Sequence, residues 1–447
     1  MHNENNILDR PIHYLGSKLR MLETVKKAVD SVDNTNGCIC DLFSGSGTVS
    51  KYFSSFRNVV AADIQNYSGV LCEATMSSLD KVPMAEQIIK EITQSDLRFK
   101  QQDIFNELVA YEKKCIANAR KNDINGLYEI IEKGSLYIYF NEDNVDCSKE
   151  LTSQLTLVKE RLLKSGEIKS LDNIIIRYYG GLYFSYEQAL EMDNIEHYVF
   201  EREGLLKVKT LAALLSTASE IVNTVGKQFA QPLKVRDGNG RYKTTLCKKI
   251  LDDRSLNVYE IYEKWLYYYL NAGEDYHEHK IICDDYLNVL EKLKDSNVSV
   301  VYADPPYTRY HYSRYYHVLE TICLRDNPNV TTTFPNGTGG ISRAIYREGR
   351  HQSPFCIKSQ AERAFDNMFG KVKELGVPLV LSYSPFNPSQ AVTPRLQTVE
   401  QLIKKAQVYF SDVSTISPGE FTHSKLNCTD KNFKANHEAE ILILCRN

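Results

Sequence analysis

The sequence predicts an α/β fold: a parallel sheet interrupted by one large, mainly helical insertion. Three observations predict it. A short apolar run, CICDLF (38–43), leads through a glycine turn and a helix to a second apolar run, NVVAAD (58–63), which is how a parallel α/β unit opens. From about 80 to 275 these strand signals give way to long charged helical stretches. Near 280 the short apolar runs return, and VSVVYA (298–303) runs straight into DPPY (304–307).

In chain order, Leu19, Leu22, Val25 and Val29 recur at helical spacing and predict an amphipathic helix over 17–31. The strand 38–43 is followed by SGSGT (44–48) and a helix from Val49; the strand 58–63 is followed by a helix over 66–79. Helices are expected at 82–94, 107–120, 148–163 and 205–225, the last marked by Leu211, Leu214, Leu215, Ala218, Val222 and Val225. KIIC (280–283) reads as a strand, 285–294 as a helix and 298–303 as a buried strand. Residues 328–342, rich in Thr, Asn, Gly and Pro, predict a mobile loop in the region 328–357. A helix at 358–375 and core strands at 377–384 and 438–445 complete the pattern.

At 447 residues the chain holds two or three domains of ordinary size, or one domain with a large insertion. The element pattern selects the second: a core split between 1–79 and 276–447, of roughly 250 residues, around an insertion at 80–275. Apolar residues at 43% and charged residues at 25% exclude wholesale disorder. Lys and Arg number 54 against 57 Asp and Glu, a net charge of −3 that excludes a uniformly basic surface while leaving room for a local basic groove. Eleven cysteines without a CxxC pair exclude a zinc knuckle or thioredoxin-type motif and suit a reducing, cytoplasmic setting. The polar start MHNENNILDR lacks a signal core, and no window of 18 apolar residues predicts a membrane span. None of the 10 histidines sits in a ligand-spaced array, so no metal is expected. Tyrosine is plentiful, 29 against one Trp, and is suited to gripping flat groups.

Three motifs carry chemistry. In DLFSGSGTVS (41–50), Gly45 and Gly47 lack a Cβ, so backbone there can approach a ligand closely; on glycine count alone an ordinary tight turn reads equally well. Asp63 ends the next strand, where a carboxylate can accept from both ribose hydroxyls of an adenosyl group; taken alone it reads as a helix N-cap. DPPY is the strongest signal. Pro305 and Pro306 fix φ and remove N–H donors, turning carbonyls toward a site. Asp304 and the Pro305 carbonyl can together accept from an exocyclic amine, and Tyr307 can stack on a planar base.

These segments resemble motifs I, II and IV of S-adenosylmethionine-dependent DNA adenine-N6 methyltransferases, in the order of the alpha group that includes Dam-like enzymes. HYLGSK (13–18) is similar to motif X and IICDDYLNVL (281–290) to motif III. ADIQNYS (62–68), GGLYFSYEQALEMD (180–193), NTVGKQFAQPLK (223–234) and DPPYTRYHYSRYYHVLETI (304–322) also look like segments of bacterial adenine-specific methylases. The resemblance implies a Rossmann-like methyltransferase sheet. It implies S-adenosylmethionine held by Tyr14, Lys18, Asp41, Phe43, Gly45, Gly47, Asp63 and Asp285 (or Asp284), with Asp304, Pro305, Pro306 and Tyr307 catalytic. The expected activity is methylation of N6 of a flipped adenine in a specific double-stranded DNA sequence, within a restriction–modification or related defence system that has a cognate endonuclease. RNA adenine methylation and an inert DNA-binding subunit are the other readings. One departure from the alpha group is that the long segment lies between motifs II and III, so no target-recognition residue is carried over.

For nucleic-acid contact, residues 226–254 carry eight cations and three acids around the turn signal DGNG (237–240). Lys227, Lys234, Arg236 and Arg241 are candidates there, as is Arg309 in YTRYHYSRYYH (307–317), which also holds His311, Arg314 and His317. A further basic segment, 341–363, contains Arg343, Arg347, Arg350, His351, Lys358 and Arg363.

Overall fold

Nine strands are present among the described residues: β1 (Cys38–Asp41), β2 (Val59–Asp63), β3 (His279–Cys283), β4 (Val298–Ala303), β5 (Thr332–Thr333), β6 (Gly340–Ile341), β7 (Leu379–Tyr383), β8 (Asp412–Ile416) and β9 (Ile441–Arg446). The structure, a computed structural model, describes residues 10–447 except 144, 274–276, 309–310, 334–338, 386–395 and 418–439. Seven strands form one sheet in the order β3-β2-β1-β4-β7-β9-β8. β3, β2, β1, β4 and β7 are parallel, while β9 runs antiparallel to both β7 and β8. The chain steps outward from β1 to β2 to β3, then returns to place β4 on the other side of β1. This is the Rossmann-like sheet that the sequence predicts. Its direction reverses between β1 and β4, and ligands of such sheets bind outside the carboxyl ends of the strands at that reversal.

Both faces are covered along the middle of the sheet, so its central strands are apolar, whereas the edge strands β3 and β8 are partly exposed. Cys38, Cys40, Val60, Val301 and Leu381 pack on one side with Val289, Phe365 and Met368 from helices Tyr286–Lys292 and Ala361–Leu375. Ile39, Val59, Ala61, Val300, Tyr302 and Leu442 pack on the other with Val25, Val29 and Phe53 from helices Leu22–Val32 and Thr48–Ser54. The first helix starts five residues later than its periodicity predicts. Gly16 at φ +81° and a turn from Met21 N–H to the Lys18 carbonyl (2.7 Å) keep residues 16–21 out of it.

The residues form two compact units. The first contains the large sheet and is built from residues up to Ser78, Ala272–Ser313 and His351–Asn447. Ser77 and Gly273, at the two edges of the long insertion, meet within it: a Cβ on Gly273 would stand 2.2 Å from the Ser77 carbonyl oxygen, and Gly273 has φ +88°. Ser77 Oγ also lies 2.9 Å from His279 Nε2, at the start of β3.

The second unit, Leu79–Asn271 with Arg314–Arg350, is mainly helical. The sequence reading keeps 314–350 with the sheet; in the structure these residues pack with the helices. The helix Gly204–Ile221 is buried nearly all round, and it even buries Lys209, whose ammonium donates to the Tyr269 carbonyl at 2.7 Å. Many of the tyrosines act here as internal struts. Tyr128, Tyr183 and Tyr186 are fully buried, and their hydroxyls donate to the carbonyls of Lys243 (2.8 Å), Phe229 (2.8 Å) and Gly134 (2.5 Å). In the segment expected to be a mobile loop, β5 pairs with β6 and Val330 bridges to Arg347; residues 334–338 lie outside the described set.

Candidate active site

A strand's side chains alternate between faces, and this places the site. Asp41 shares the face of Ile39, Asp63 that of Ala61, and Glu440 that of Leu442. Asp304 follows β4 two residues after Tyr302. Because β9 is antiparallel, its beginning lies at the same edge as the ends of the parallel strands. Four acids are thereby gathered at the carboxyl edge of the sheet.

Lys18, delivered by the turn before the first helix, compensates two of them. Its Nζ lies 2.7 Å from Asp304 Oδ2 and 3.1 Å from Glu440 Oε1, and it donates to the Gly16 carbonyl at 3.3 Å. Lys18 is only 5% exposed. Burial works against its charge, but Asp304 and then Glu440 more than offset this and hold it protonated. Glu440 is fixed in turn by Ser382 Oγ at 2.9 Å.

Asp304 has its pKa pushed up to about 6, chiefly by burial, with Lys18 opposing and Glu440 adding to the rise. Lys18 takes its Oδ2; Oδ1 has no hydrogen-bond partner among the described residues. The Pro305 carbonyl likewise accepts no hydrogen bond among the described residues, whereas that of Pro306 receives Cys356 Sγ at 3.8 Å. Two neighbouring residues therefore each carry an acceptor without a partner among the described residues. Tyr307 is 8% exposed and packs against Tyr383 at 4.9 Å between centroids, with the rings tilted by 55°.

The glycine turn approaches the same edge. Asp63 Oδ2 accepts from Gly45 N–H at 3.0 Å and its Oδ1 from Gln65 N–H at 2.9 Å. Gly45 and Gly47 have φ +54° and +76°; a Cβ on Gly45 would meet the Tyr14 hydroxyl at 2.6 Å and one on Gly47 would meet Cys72 Sγ at 3.0 Å. Asp41 is buried, accepts from Ser50 Oγ at 2.6 Å, and is pushed up to about 7 by burial. Asp285 caps the helix Tyr286–Lys292 by accepting from Leu287 N–H at 3.0 Å. Asp284 instead pairs with Lys292 at 2.6 Å. Phe43 packs on Tyr286 at 6.0 Å and edge-on to Phe355 at 5.5 Å.

These residues line one cleft, whose empty space is about 920 Å³ with open solvent included. Tyr14, Lys18, Phe43, Asp63, Asp284, Asp285, Asp304, Pro305, Pro306 and Tyr307 all contribute. A smaller recess of about 290 Å³ shares Tyr14, Lys18, Phe43 and Asp304 and adds Asp41, Ser46, Thr48 and Tyr302. The Tyr302 hydroxyl is fully buried without a hydrogen-bond partner. Sequence reasoning missed both Tyr302 and Glu440; alternation with Asp304 is the signal that points to Tyr302, whereas Glu440 reaches this edge only through the antiparallel pairing of β9. Among the described residues, no group of three His, Cys, Asp or Glu side chains is placed to hold a metal ion, and no helix is long and apolar enough to cross a membrane.

In the second unit, the basic stretch is largely neutralised. Lys227 pairs with Asp253 (2.8 Å), Arg236 with Glu132 (2.9 Å) and Lys248 with Asp252 (2.6 Å); Lys249 pairs with Asp253 and Arg254 with the buried Glu112. Lys234, Arg241 and Lys243 have no carboxylate partner among the described residues. The DGNG turn is tight: Asp237 N–H donates to the Arg241 carbonyl at 2.8 Å, and Arg236 bridges to Tyr242. Arg309 lies outside the described residues.

Comparison with known proteins finds a family match that takes in the first part of the site and relatives that span most of the chain. Residues 14–200 match the family described as D12 class N6 adenine-specific DNA methyltransferase. The chain is 22% identical over 435 residues to modification methylase LlaI of Lactococcus lactis subsp. lactis, covering 97% of this chain and 54% of that protein. It is 22% identical over 361 residues to type II methyltransferase M.NlaIII of Neisseria lactamica (79% and 78% covered), and 21% identical over 363 residues to type II methyltransferase M.FokI of Planomicrobium okeanokoites (80% and 43%). The chain spans about half the length of LlaI. No solved structure matches it significantly. The family resemblance read from DLFSGSGTVS and DPPY is the one these matches show.

Proposed function

We propose that this chain, a relative of the D12 class of N6 adenine-specific DNA methyltransferases, transfers a methyl group from S-adenosylmethionine to the exocyclic N6 amine of adenine in a specific DNA sequence. The observation that carries the reading is the pair of open acceptors, Asp304 Oδ1 and the Pro305 carbonyl, beside a lysine that keeps Asp304 ionised.

The residues present fit the cofactor. Asp63, oriented by the Gly45 and Gln65 N–H groups, places a carboxylate at the strand end where a ribose hydroxyl can donate to it. Gly45 and Gly47 leave room that a Cβ would fill. The orphaned Tyr302 hydroxyl, with Lys18, Ser46 and Thr48, offers polar partners to an amino-acid end. Phe43, Tyr286 and Asp285 suit an adenine ring. When bound, S-adenosylmethionine supplies an electrophilic sulfonium methyl.

The chain's own residues prepare the acceptor. An exocyclic amine is a poor nucleophile because its lone pair is delocalised into the ring. Accepting its two hydrogens at Asp304 Oδ1 and Pro305 O favours the tetrahedral amine, whose lone pair is localised for in-line attack. Lys18 holds Asp304 as an acceptor in a place where burial favours protonation. A base flipped from a duplex costs a few kcal/mol of unstacking, part of which stacking on Tyr307 returns. Lys234 and Arg241, at the edges of the tight turn, are the candidates for phosphate contact; the charges of Lys227 and Arg236 are offset by their acids. The names of the relatives fit modification of host DNA beside a restriction endonuclease in a bacterial cytoplasm.

Incubating the protein with cofactor and DNA, followed by long-read sequencing, tests the reading. N6-methyladenine in a defined motif is expected, and Asp304→Ala is expected to abolish it while cofactor still binds. Methylation at full rate in that variant would remove the role of Asp304.

A further inference from the structure

Two of the basic segments in the sequence converge on one feature within the helical unit. The Arg314 guanidinium lies 5.4 Å from the ring centroid of Tyr346, and the Arg350 guanidinium lies 4.7 Å from the same ring. Neighbouring cations are committed. Arg347 pairs with Asp326 at 2.6 Å, and Arg343 Nη2 donates to the carbonyls of Ile131 (2.9 Å) and Leu233 (3.1 Å). Arg314 and Arg350 have no carboxylate partner among the described residues. Arg350 Nε donates to the Arg347 carbonyl at 2.8 Å and its Nη2 contacts Thr331 Oγ1 at 3.4 Å, which leaves Nη1 open. Arg314 is exposed; Arg350 and Tyr346 are half-buried. Burial, and then the charge of Arg314, lower the Arg350 pKa, as expected of two cations that share a place without a counter-ion.

The platform between them is rigidly built. The Tyr346 hydroxyl donates to the Ala230 carbonyl, and the His317 ring meets the Tyr346 ring edge-on at 5.1 Å. Thr331 N–H donates to the Tyr346 carbonyl at 2.8 Å. The preceding residue, Ile345, is fully buried at φ +53°, a left-handed backbone that a β-branched residue rarely adopts and that concentrates at functional sites.

We propose that Arg314 and Arg350, positioned on Tyr346, form a clamp for one backbone phosphodiester of the substrate DNA. The clamp rests on the reading of the chain as a DNA methyltransferase. Planar guanidinium forks match phosphate oxygens, and two forks without an acid form a cationic site that a phosphodiester neutralises. Arg314 stands seven residues after Tyr307 in the sequence.

Binding of a fluorescent duplex across a salt series, with cofactor present, tests the clamp in the full chain. Arg314→Gln and Arg350→Gln are each expected to weaken cognate and unrelated duplexes alike. The double variant should flatten the plot of log affinity against log salt by about 0.9, the value for one phosphate contact, and each single variant by less, because the remaining arginine still faces the phosphate. Arg314→Lys should retain most of the slope. Cofactor affinity by calorimetry should be unchanged, which verifies folding; if Arg350→Gln fails that control, exposed Arg314 decides alone. An unaltered slope and affinity would overturn the clamp, as would a loss confined to the cognate sequence, which marks a base reader. A wild-type protein that methylates adenine with an unaltered slope in the variants rejects the clamp alone; one that binds no duplex rejects both readings.

Discussion

Lys18 and Asp304 form a buried ion pair, Nζ to Oδ2 at 2.7 Å, that joins a loop ahead of the first helix to the acid that follows the fourth strand. The pair leaves Asp304 Oδ1 open and sets the charge on which the proposed chemistry depends.

Replacing Lys18 by Met removes the cation that opposes burial at Asp304, so the acid's pKa rises from about 6. A protonated Asp304 cannot accept from N6. Methyl transfer at neutral pH is therefore expected to fall, roughly tenfold for each pH unit by which the pKa exceeds the assay pH, and to recover as pH increases. Single-turnover rates from pH 5 to 9 would show the acid limb moving upward; a uniform loss at every pH would mean that Lys18 acts otherwise.

Glu440→Gln should act in the opposite sense. Glu440 raises the pKa of Asp304, so its neutral amide lets Asp304 ionise at lower pH. The acid limb is expected to move downward while the amide oxygen still accepts from Ser382 or Lys18. An upward shift, or none, would separate Glu440 from Asp304.

Asp63→Ala removes the acceptor proposed for the ribose and also the anchor of the Gly45 and Gln65 N–H groups. Calorimetry should show cofactor affinity falling about 10–100-fold, the cost of losing charge-assisted hydrogen bonds. Asp63→Asn, which keeps one acceptor oxygen, should lose less, and equal losses would place the ribose elsewhere.

Gly45→Ala sets a methyl against Tyr14 at φ +54°. A loss of about 1–3 kcal/mol is expected from the backbone alone, visible as a lower melting temperature, together with weaker cofactor binding. Unchanged melting and binding would show that Tyr14 swings away freely.

Most of the sheet was legible because its central strands are buried on both faces and read as apolar runs, those of β1, β2 and β4 leading into Asp41, Asp63 and Asp304; the edge strand β8, DVSTI and partly exposed, carries no such run and was missed. Glu440 was not, since its place depends on β9 entering antiparallel between β7 and β8, a pairing that no local pattern announces. The charge of 226–254 misleads for a similar reason: Glu112 and Glu132, which neutralise Arg254 and Arg236, come from helices more than 100 residues earlier. The late start of the first helix was hidden because Leu19 fits the helical spacing although Gly16 and the Lys18 turn hold it outside.

The meeting of Ser77 with Gly273 has a consequence for how such a chain diversifies. An insertion of 193 residues that departs and returns at touching points adds nothing to the distance that the sheet must bridge, and β2 and β3 still pair over five residues. Loop-closure entropy grows only slowly with length, so the segment Leu79–Asn271 can vary in length at little cost to the closure of the sheet. The strict demand falls on the junction, where Gly273 admits no side chain.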